Sequence, residues 1–83
     1  MDEQEIYRGI TEILRDVFDD PDFPVTPKTS AKDHPQWDSF NHINILVAAE
    51  MRFGVKFRST EIDKLKDVGN FVRLIRAKRQ AAA

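Results

Sequence analysis

Apolar residues recur at Ile6, Ile10, Ile13, Leu14, Val17 and Phe18, a spacing that sets them on one stripe of an α-helix. Asp2, Glu3 and Glu5 open that stretch, where carboxylates suit the positive end of the helix dipole. The pattern stops at Asp19-Asp20-Pro21, since proline forbids continuation. From 19 to 37 periodicity is lost and four prolines intervene, Pro21, Pro24, Pro27 and Pro35. A loop this long in a short chain is functional or held by packing, and Phe23, Val25 and Trp37 are the expected anchors.

A second helix is expected from about Asp38-Ser39 to Phe53, with Asp38 as N-cap and Gly54 as the stop. Its apolar residues, Phe40, Ile43, Ile45, Leu46, Val47, Ala48, Ala49, Met51 and Phe53, cover more than one stripe. Such a helix is central, packed on two flanks, or partly exposed for a partner. Val55-Lys56-Phe57 reads as a connector pinned by two apolar side chains. Ser59 or Thr60 then opens a short helix through Leu65, with Ile62 and Leu65 turned inward. Asp67 caps a last helix whose stripe is Val68, Phe71, Val72 and Ile75, and whose end carries Arg73, Arg76, Lys78 and Arg79. The expected fold is all-α, a small four-helix bundle of three main helices and one short helix, with a long loop after the first. One domain spans 1–83, with its core over about 4–78 and a frayed tail at 79–83.

Composition narrows the class. The chain has 83 residues, 41% hydrophobic and 33% charged, enough for one modest core. It has no cysteine, which excludes disulfides, thiolate catalysis and the usual zinc clusters. The start MDEQEIYRGI is acidic and amphipathic, unlike a signal peptide, and no apolar run approaches the roughly 18 residues of a membrane span. A cytoplasmic protein is expected. The net charge of −1 hides ten acidic and four basic residues in 1–40 against four acidic and nine basic in 41–83. The halves either pair or face different partners. Nucleic acid is not the expected partner, because the basic stretch RLIRAKRQ lacks interleaved aromatics.

No catalytic constellation stands out. His34 and His42 are the only histidines, read as solvent-facing or capping, and no metal-ligand spacing accompanies them. Asp19, Asp20 and Asp22 suit turn-making, and Glu12 and Asp16 suit a solvated helix face. Ser39 has two readings. Asp-Ser pairs are favoured at helix starts as caps. A hydroxyl on a first turn after a long loop, flanked by Asp38 and Phe40, also suits a modification site with a docking surface.

Trp37-Asp38-Ser39-Phe40, the helix FNHINILVAAEMRFGVKF and the stretch STEIDKLKDVGNFVRLI together resemble the acyl carrier protein family over about residues 4–78. The resemblance implies that Ser39 receives 4′-phosphopantetheine from coenzyme A, through a phosphopantetheinyl transferase using magnesium. The arm's thiol then carries acyl groups as thioesters, with loading ligases or transferases and downstream synthase enzymes as further partners. By the same resemblance Asp38 helps position the transferase and its metal, and Phe40 is an apolar contact. Asn41, Asn44, Val47, Glu50 and Met51 are read by partners on the recognition helix. Ile43, Leu46, Ile62 and Leu65 shelter the acyl chain, or simply fill the core. A monomer is the family expectation.

The chain departs from the family pattern in two places. Gln36 stands where glycine is frequent, and the recognition helix, usually strongly acidic, reads Asn41, His42, Asn44, Glu50 and Arg52. These departures point to a dedicated carrier in a specialised polyketide, nonribosomal or cell-surface pathway. The alternatives are an aminoacyl or peptidyl carrier, or a helical interaction domain in which Ser39 is only a cap.

Overall fold

Three fifteen-residue helices and one short helix account for most of the chain in the computed structural model, which describes residues 2–82. They are α1 (Glu3–Val17), α2 (Ser39–Phe53), α3 (Ser59–Ile62) and α4 (Val68–Ala82), with a single 3₁₀ turn at Ala31–Asp33 in the long loop. No strand forms among the described residues. The all-α bundle expected from the periodicity is the observed fold.

Each boundary has a chemical cause. Asp2 Oδ1 accepts the Glu5 N–H at 2.8 Å and opens α1. The helix closes before the proline is reached. Asp19 turns left-handed at φ 50°, the Asp20 N–H donates to Arg15 O at 2.9 Å, and the Asp19 N–H donates to Asp16 O at 3.2 Å. Gly54, at φ 66°, ends α2 in the conformation that glycine adopts without a Cβ penalty. α3 is shorter than the run to Leu65 expected from the sequence. After Ile62 the chain tightens, with Lys64 bonded to Glu61 O and Leu65 to Ile62 O, each three residues back.

α4 starts with its first four N–H groups all satisfied. The Asn70 N–H donates to Asp67 Oδ1 at 2.8 Å and the Phe71 N–H to Asp67 O at 3.3 Å. Val68 and Gly69 donate instead to the loop, to Thr29 O at 2.9 Å and Pro27 O at 2.8 Å. At its other end α4 remains helical through 79–82, where a frayed tail was expected; Ala83 lies outside the described residues. The Arg79 guanidinium explains part of this, since its Nη1 donates to Phe53 O at 2.9 Å and satisfies a carbonyl at the end of α2.

α1 packs against both α2 and α4. Ile6, Ile10 and Leu14 of α1, with Phe18 just past its end, meet Ile45, Ala49 and Phe53 of α2 and Val68, Phe71 and Ile75 of α4 in one buried cluster. Val55 joins it, while Phe57, Ile62 and Leu65 are half-buried against it. The charge asymmetry is partly spent within the fold: Arg52 reaches Glu12 at 2.7 Å and Arg76 reaches Glu3 at 3.2 Å, each joining the basic half to the acidic half.

The α1–α2 approach depends on Gly9. A Cβ there would lie 2.6 Å from Cζ of Phe53, whose ring is buried and cannot swing aside. Gly9→Ala therefore sets a helix-propensity gain of about 1 kcal/mol against an overpacking cost of about 1–3 kcal/mol. A net loss of stability is expected in urea denaturation. A more stable variant would show that the two helices separate freely.

Candidate functional site

The start of α2 is held from behind by a chain of rings. Phe18, one residue past α1, stacks on His34 with centroids 4.3 Å apart, and Phe23 meets His34 edge-on at 4.8 Å. His34 is thus buried, not solvent-facing as the sequence suggested. Its position between two phenylalanines comes from the loop folding back, which proximity in sequence does not reveal. His34 Nδ1 accepts the Gln36 N–H at 3.1 Å, which leaves the proton on Nε2, 3.2 Å from Asp20 Oδ2.

Trp37 continues the chain. Its N–H donates to His34 O at 3.1 Å and its indole Nε1–H to His42 Nδ1 at 3.0 Å. The imidazole of His42 meets Phe71 of α4 edge-on at 6.3 Å. His42 is consequently half-buried, again a correction to the solvent-facing reading. Phe23 and Trp37 are buried and Val25 is half-buried against the core, as expected of loop anchors. The Tyr7 hydroxyl also donates to Val25 O, and Arg15 Nε to Phe23 O at 2.9 Å.

Burial lowers the pKa of His42 below its usual 6.5, which suits a ring that must keep Nδ1 unprotonated to accept from Trp37. As pH falls below 6.5 the unfolded chain takes up this proton before the folded chain does. The stability that neutral His42 contributes is present above that pH and is lost as pH falls through the lowered value. Urea midpoints measured between about pH 8 and about pH 5 should fall more steeply for the parent than for His42→Gln. Parallel curves would remove His42 from the pH response.

With Trp37 fixed, the next residues form a regular helix start. Asp38 is extended (φ −98°, ψ −176°), and its Oδ1 accepts the Asn41 N–H at 2.8 Å. Asn41 Nδ2 reaches back to Gln36 O at 2.7 Å and Asn44 Nδ2 to Asn41 Oδ1 at 3.2 Å, so this part of the expected partner surface also stitches the turn together. Ser39 sits on the first turn of α2. It is exposed, and its hydroxyl makes no hydrogen bond among the described residues. The cap is Asp38, and Ser39 is left free.

Beyond Ser39 the outer side of α2 is apolar. Phe40, Ile43, Val47 and Met51 are 74%, 60%, 47% and 81% exposed. Their spacing sets them in one row along the helix. Ile43, one of the expected acyl-lining residues, belongs to this row, whereas Leu46 is in the core and Ile62 and Leu65 are half-buried. Glu50 turns aside, its Oε2 accepting the Phe57 N–H at 2.8 Å and tying down the connector after α2. Glu61 likewise serves the fold. Its carboxyl is held below the ordinary carboxylate range, first by Lys78 at 2.8 Å and then by the Arg58 N–H.

A groove of about 670 Å³ lies elsewhere, between α1, the loop and α4, lined by residues including Tyr7, Arg8, Pro27 and Arg73. Among the described residues no group of three or more His, Asp or Glu side chains stands close enough to hold a metal ion. Nor, among them, is any helix long and apolar enough to cross a membrane.

Sequence reasoning missed the Phe18–His34–Trp37–His42 series that positions Ser39. The one signal for it is a tryptophan five residues before a histidine across a helix start, and that spacing is too common to single out.

No protein-family model matches the chain. The acyl carrier protein of Acidothermus cellulolyticus is 36% identical over 75 residues, covering 90% of this chain and 89% of the relative. That of Thermobifida fusca is 34% identical over 88% of this chain and 92% of its own. The meromycolate extension acyl carrier protein of Mycolicibacterium aurum is 34% identical over 88% of this chain and 75% of its own. The solution structure of holo acyl carrier protein from Geobacter metallireducens superposes with a TM-score of 0.85 at 38% identity, covering 92% of this chain and 87% of that one. Sequence along nearly the whole length, the four-helix architecture and an exposed serine at the head of α2 lead to one assignment: the chain belongs to the acyl carrier protein family.

Proposed function

We propose that the chain carries acyl groups as thioesters on a 4′-phosphopantetheine arm joined through a phosphodiester to the Ser39 hydroxyl. The observation that carries this reading is the division of roles at the start of α2. Asp38 takes the cap, and Ser39 offers an exposed hydroxyl with no structural task of its own. The residues fit the group: the first N–H groups of a fifteen-residue helix and its dipole favour a negative charge beside Ser39. Once attached, the group supplies the thiol that a cysteine-free chain lacks.

The rest of the site has supporting tasks. Trp37, held by His34 and His42, keeps the helix start rigid while an enzyme approaches Ser39. Asp38 faces the phosphopantetheinyl transferase that brings coenzyme A and magnesium. Phe40, Val47 and Met51, with Asn41 and Asn44 beside them, form the surface that loading ligases and downstream synthase enzymes read. Leu46, Ile62 and Leu65 are the side chains between which an acyl chain shelters. The protein is a carrier in this reading, monomeric and cytoplasmic, and the chemistry belongs to its partners.

A specialised pathway is favoured over general fatty-acid synthesis. α2 holds a single carboxylate, Glu50, and that one is turned to the Phe57 N–H. Enzymes with basic docking patches gain little attraction from such a helix. Relatives of the chain include meromycolate extension carriers.

Intact mass after incubation with a promiscuous phosphopantetheinyl transferase, coenzyme A and magnesium tests the proposal. A gain of one phosphopantetheine group is expected. No gain on the folded protein, across several transferases, returns the chain to a helical interaction domain.

A further inference from the structure

No residue of α2 lines the groove of about 670 Å³ between α1, the loop and α4, so Ser39 lies outside it. The loop wall of this groove is fastened from both helices. The Tyr7 hydroxyl donates to Val25 O and Arg15 Nε to Phe23 O, while the Val68 and Gly69 N–H groups donate to Thr29 O and Pro27 O. A Cβ at Gly69 would stand 3.1 Å from Pro27 O, so loop and α4 are in close contact there. A groove built in this way is preformed, and a ligand entering it orders little of the chain.

Tyr7, Pro27 and Val72 give the groove apolar surface, and Arg8, Arg15 and Arg73 bring cations to it from both helices. None of these three arginines is in an ion pair among the described residues. Arg15 spends only its Nε, on Phe23 O, which leaves its terminal nitrogens to donate. Two carboxylates also line the groove, and each has a cation of its own. Glu3 meets Arg76 at 3.2 Å and Glu12 meets Arg52 at 2.7 Å. Glu5 and Asp16 follow lining residues on α1, and Asp67 stands beside Gly69. These three acids keep their charge, opposed by Lys28 next to Pro27, and none forms an ion pair with the three arginines. Selectivity therefore resides in the guanidinium forks, which take carboxylates two bonds at a time, rather than in a net field.

The dimensions narrow the occupant. From Glu3 to Arg15 the lining runs about 18 Å along α1, too long a trough for one small anion to fill. Arg8 and Arg15 stand two turns apart on one side of α1, about 10 Å along its axis. Residues i and i+7 of a second helix lying along α1 have the same spacing.

We infer that the groove between α1, the loop and α4 takes an amphipathic helix of a partner protein, with carboxylates two turns apart that meet Arg8 and Arg15. Its apolar side chains cover Tyr7, Pro27 and Val72, and Arg73 holds it from the α4 side. Contact here leaves Ser39 and the outer row of α2 uncovered. The binding stands independently of the carrier reading, and only its use rests on that reading: the protein is tethered to an assembly while other enzymes reach Ser39.

The test uses three synthetic amphipathic helical peptides with the same apolar face. One carries glutamates at i and i+7, one carries them at i and i+5, and one carries lysines at i and i+7. Each is titrated into the isotope-labelled full chain while backbone amide shifts are followed. The first is expected to bind about tenfold more tightly than either of the others, shifting amides of 3–15, 25–29 and 69–73. Arg8→Gln combined with Arg73→Gln should erase that preference; circular dichroism checks that these two exposed changes leave the fold intact. No binding, or equal binding of the lysine or displaced-glutamate peptide, overturns the inference. So do shifts confined to 40–51, the same shifts produced by inorganic phosphate alone, or shifts that grow with protein concentration alone, which make a second copy the occupant. Phosphopantetheine loading, with and without the first peptide at saturation, separates this inference from the carrier reading. Equal loading in both is expected, and loading blocked by the peptide overturns the tether. Peptide binding with no loading in either case removes the carrier reading and leaves the groove its ligand.

Discussion

Ser39→Ala is expected to abolish phosphopantetheine loading completely while changing stability by less than about 0.5 kcal/mol. Ser39 is exposed and its hydroxyl has no partner among the described residues, so the substitution removes only the atom to be modified. Asp38→Ala should show the reverse weighting. It deletes the acceptor of the Asn41 N–H and costs about 1 kcal/mol, with loading slowed but not abolished. Intact mass and urea denaturation on the two variants decide the matter together. A loss of about 1 kcal/mol in Ser39→Ala with a silent Asp38→Ala would make Ser39 the cap and leave nothing to modify.

Phe18→Ala should be the most destabilising single change outside the helix interiors. The ring is 1% exposed and lies 4.3 Å from His34, 5.8 Å from Phe23 and 5.8 Å from Trp37. Truncation of a buried phenylalanine costs about 3–5 kcal/mol. A domain of this size has only about 4–12 kcal/mol to lose. Three loop side chains lose their common support at once, so the loss extends to Trp37 and the start of α2. Phe18→Leu, which keeps most of the volume, should cost far less and hold Trp37 in place. Tryptophan fluorescence and urea midpoints on both variants check this. A Phe18→Ala protein within about 1 kcal/mol of the parent would mean that the loop is held by its polar contacts rather than by this ring.

Much of the fold was legible because α1 and α4 each bury one face. A single stripe, Ile6 to Phe18 or Val68 to Ile75, tells which side of the helix is inside. The caps Asp38 and Asp67 and the stop at Gly54 were legible for a local reason, since their hydrogen bonds close within four residues. α2 was legible as a helix but not in its facing. Its apolar residues cover most of the surface, so periodicity could not separate Ile45, Ala49 and Phe53, which are buried, from Phe40, Ile43, Val47 and Met51, which are not. Ile43, which the family resemblance sets among residues that shelter the acyl chain or fill the core, stands on the outer row.

The polar side chains divide in the same way. Glu50 and His34 look like surface residues, and each is claimed by a backbone N–H that only folding brings near, Phe57 for one and Gln36 for the other. The cations of α4, grouped in the sequence as a basic helix end, are dispersed in the fold. Arg76 goes to Glu3, Lys78 to Glu61 and Arg79 to Phe53 O.

Local chemistry sets the three long helices, their caps, the long loop between the first two and the serine at the head of the second. Such features depend on side-chain periodicity and on hydrogen bonds a few residues long. Packing between distant segments sets which side of α2 is left uncovered. Through it the loop caps α4 with Pro27 and Thr29, and two histidines and a tryptophan fix the position of Ser39. Those outcomes depend on contacts between residues far apart in the chain, and a helix apolar on most sides acquires an inside only when its neighbours arrive.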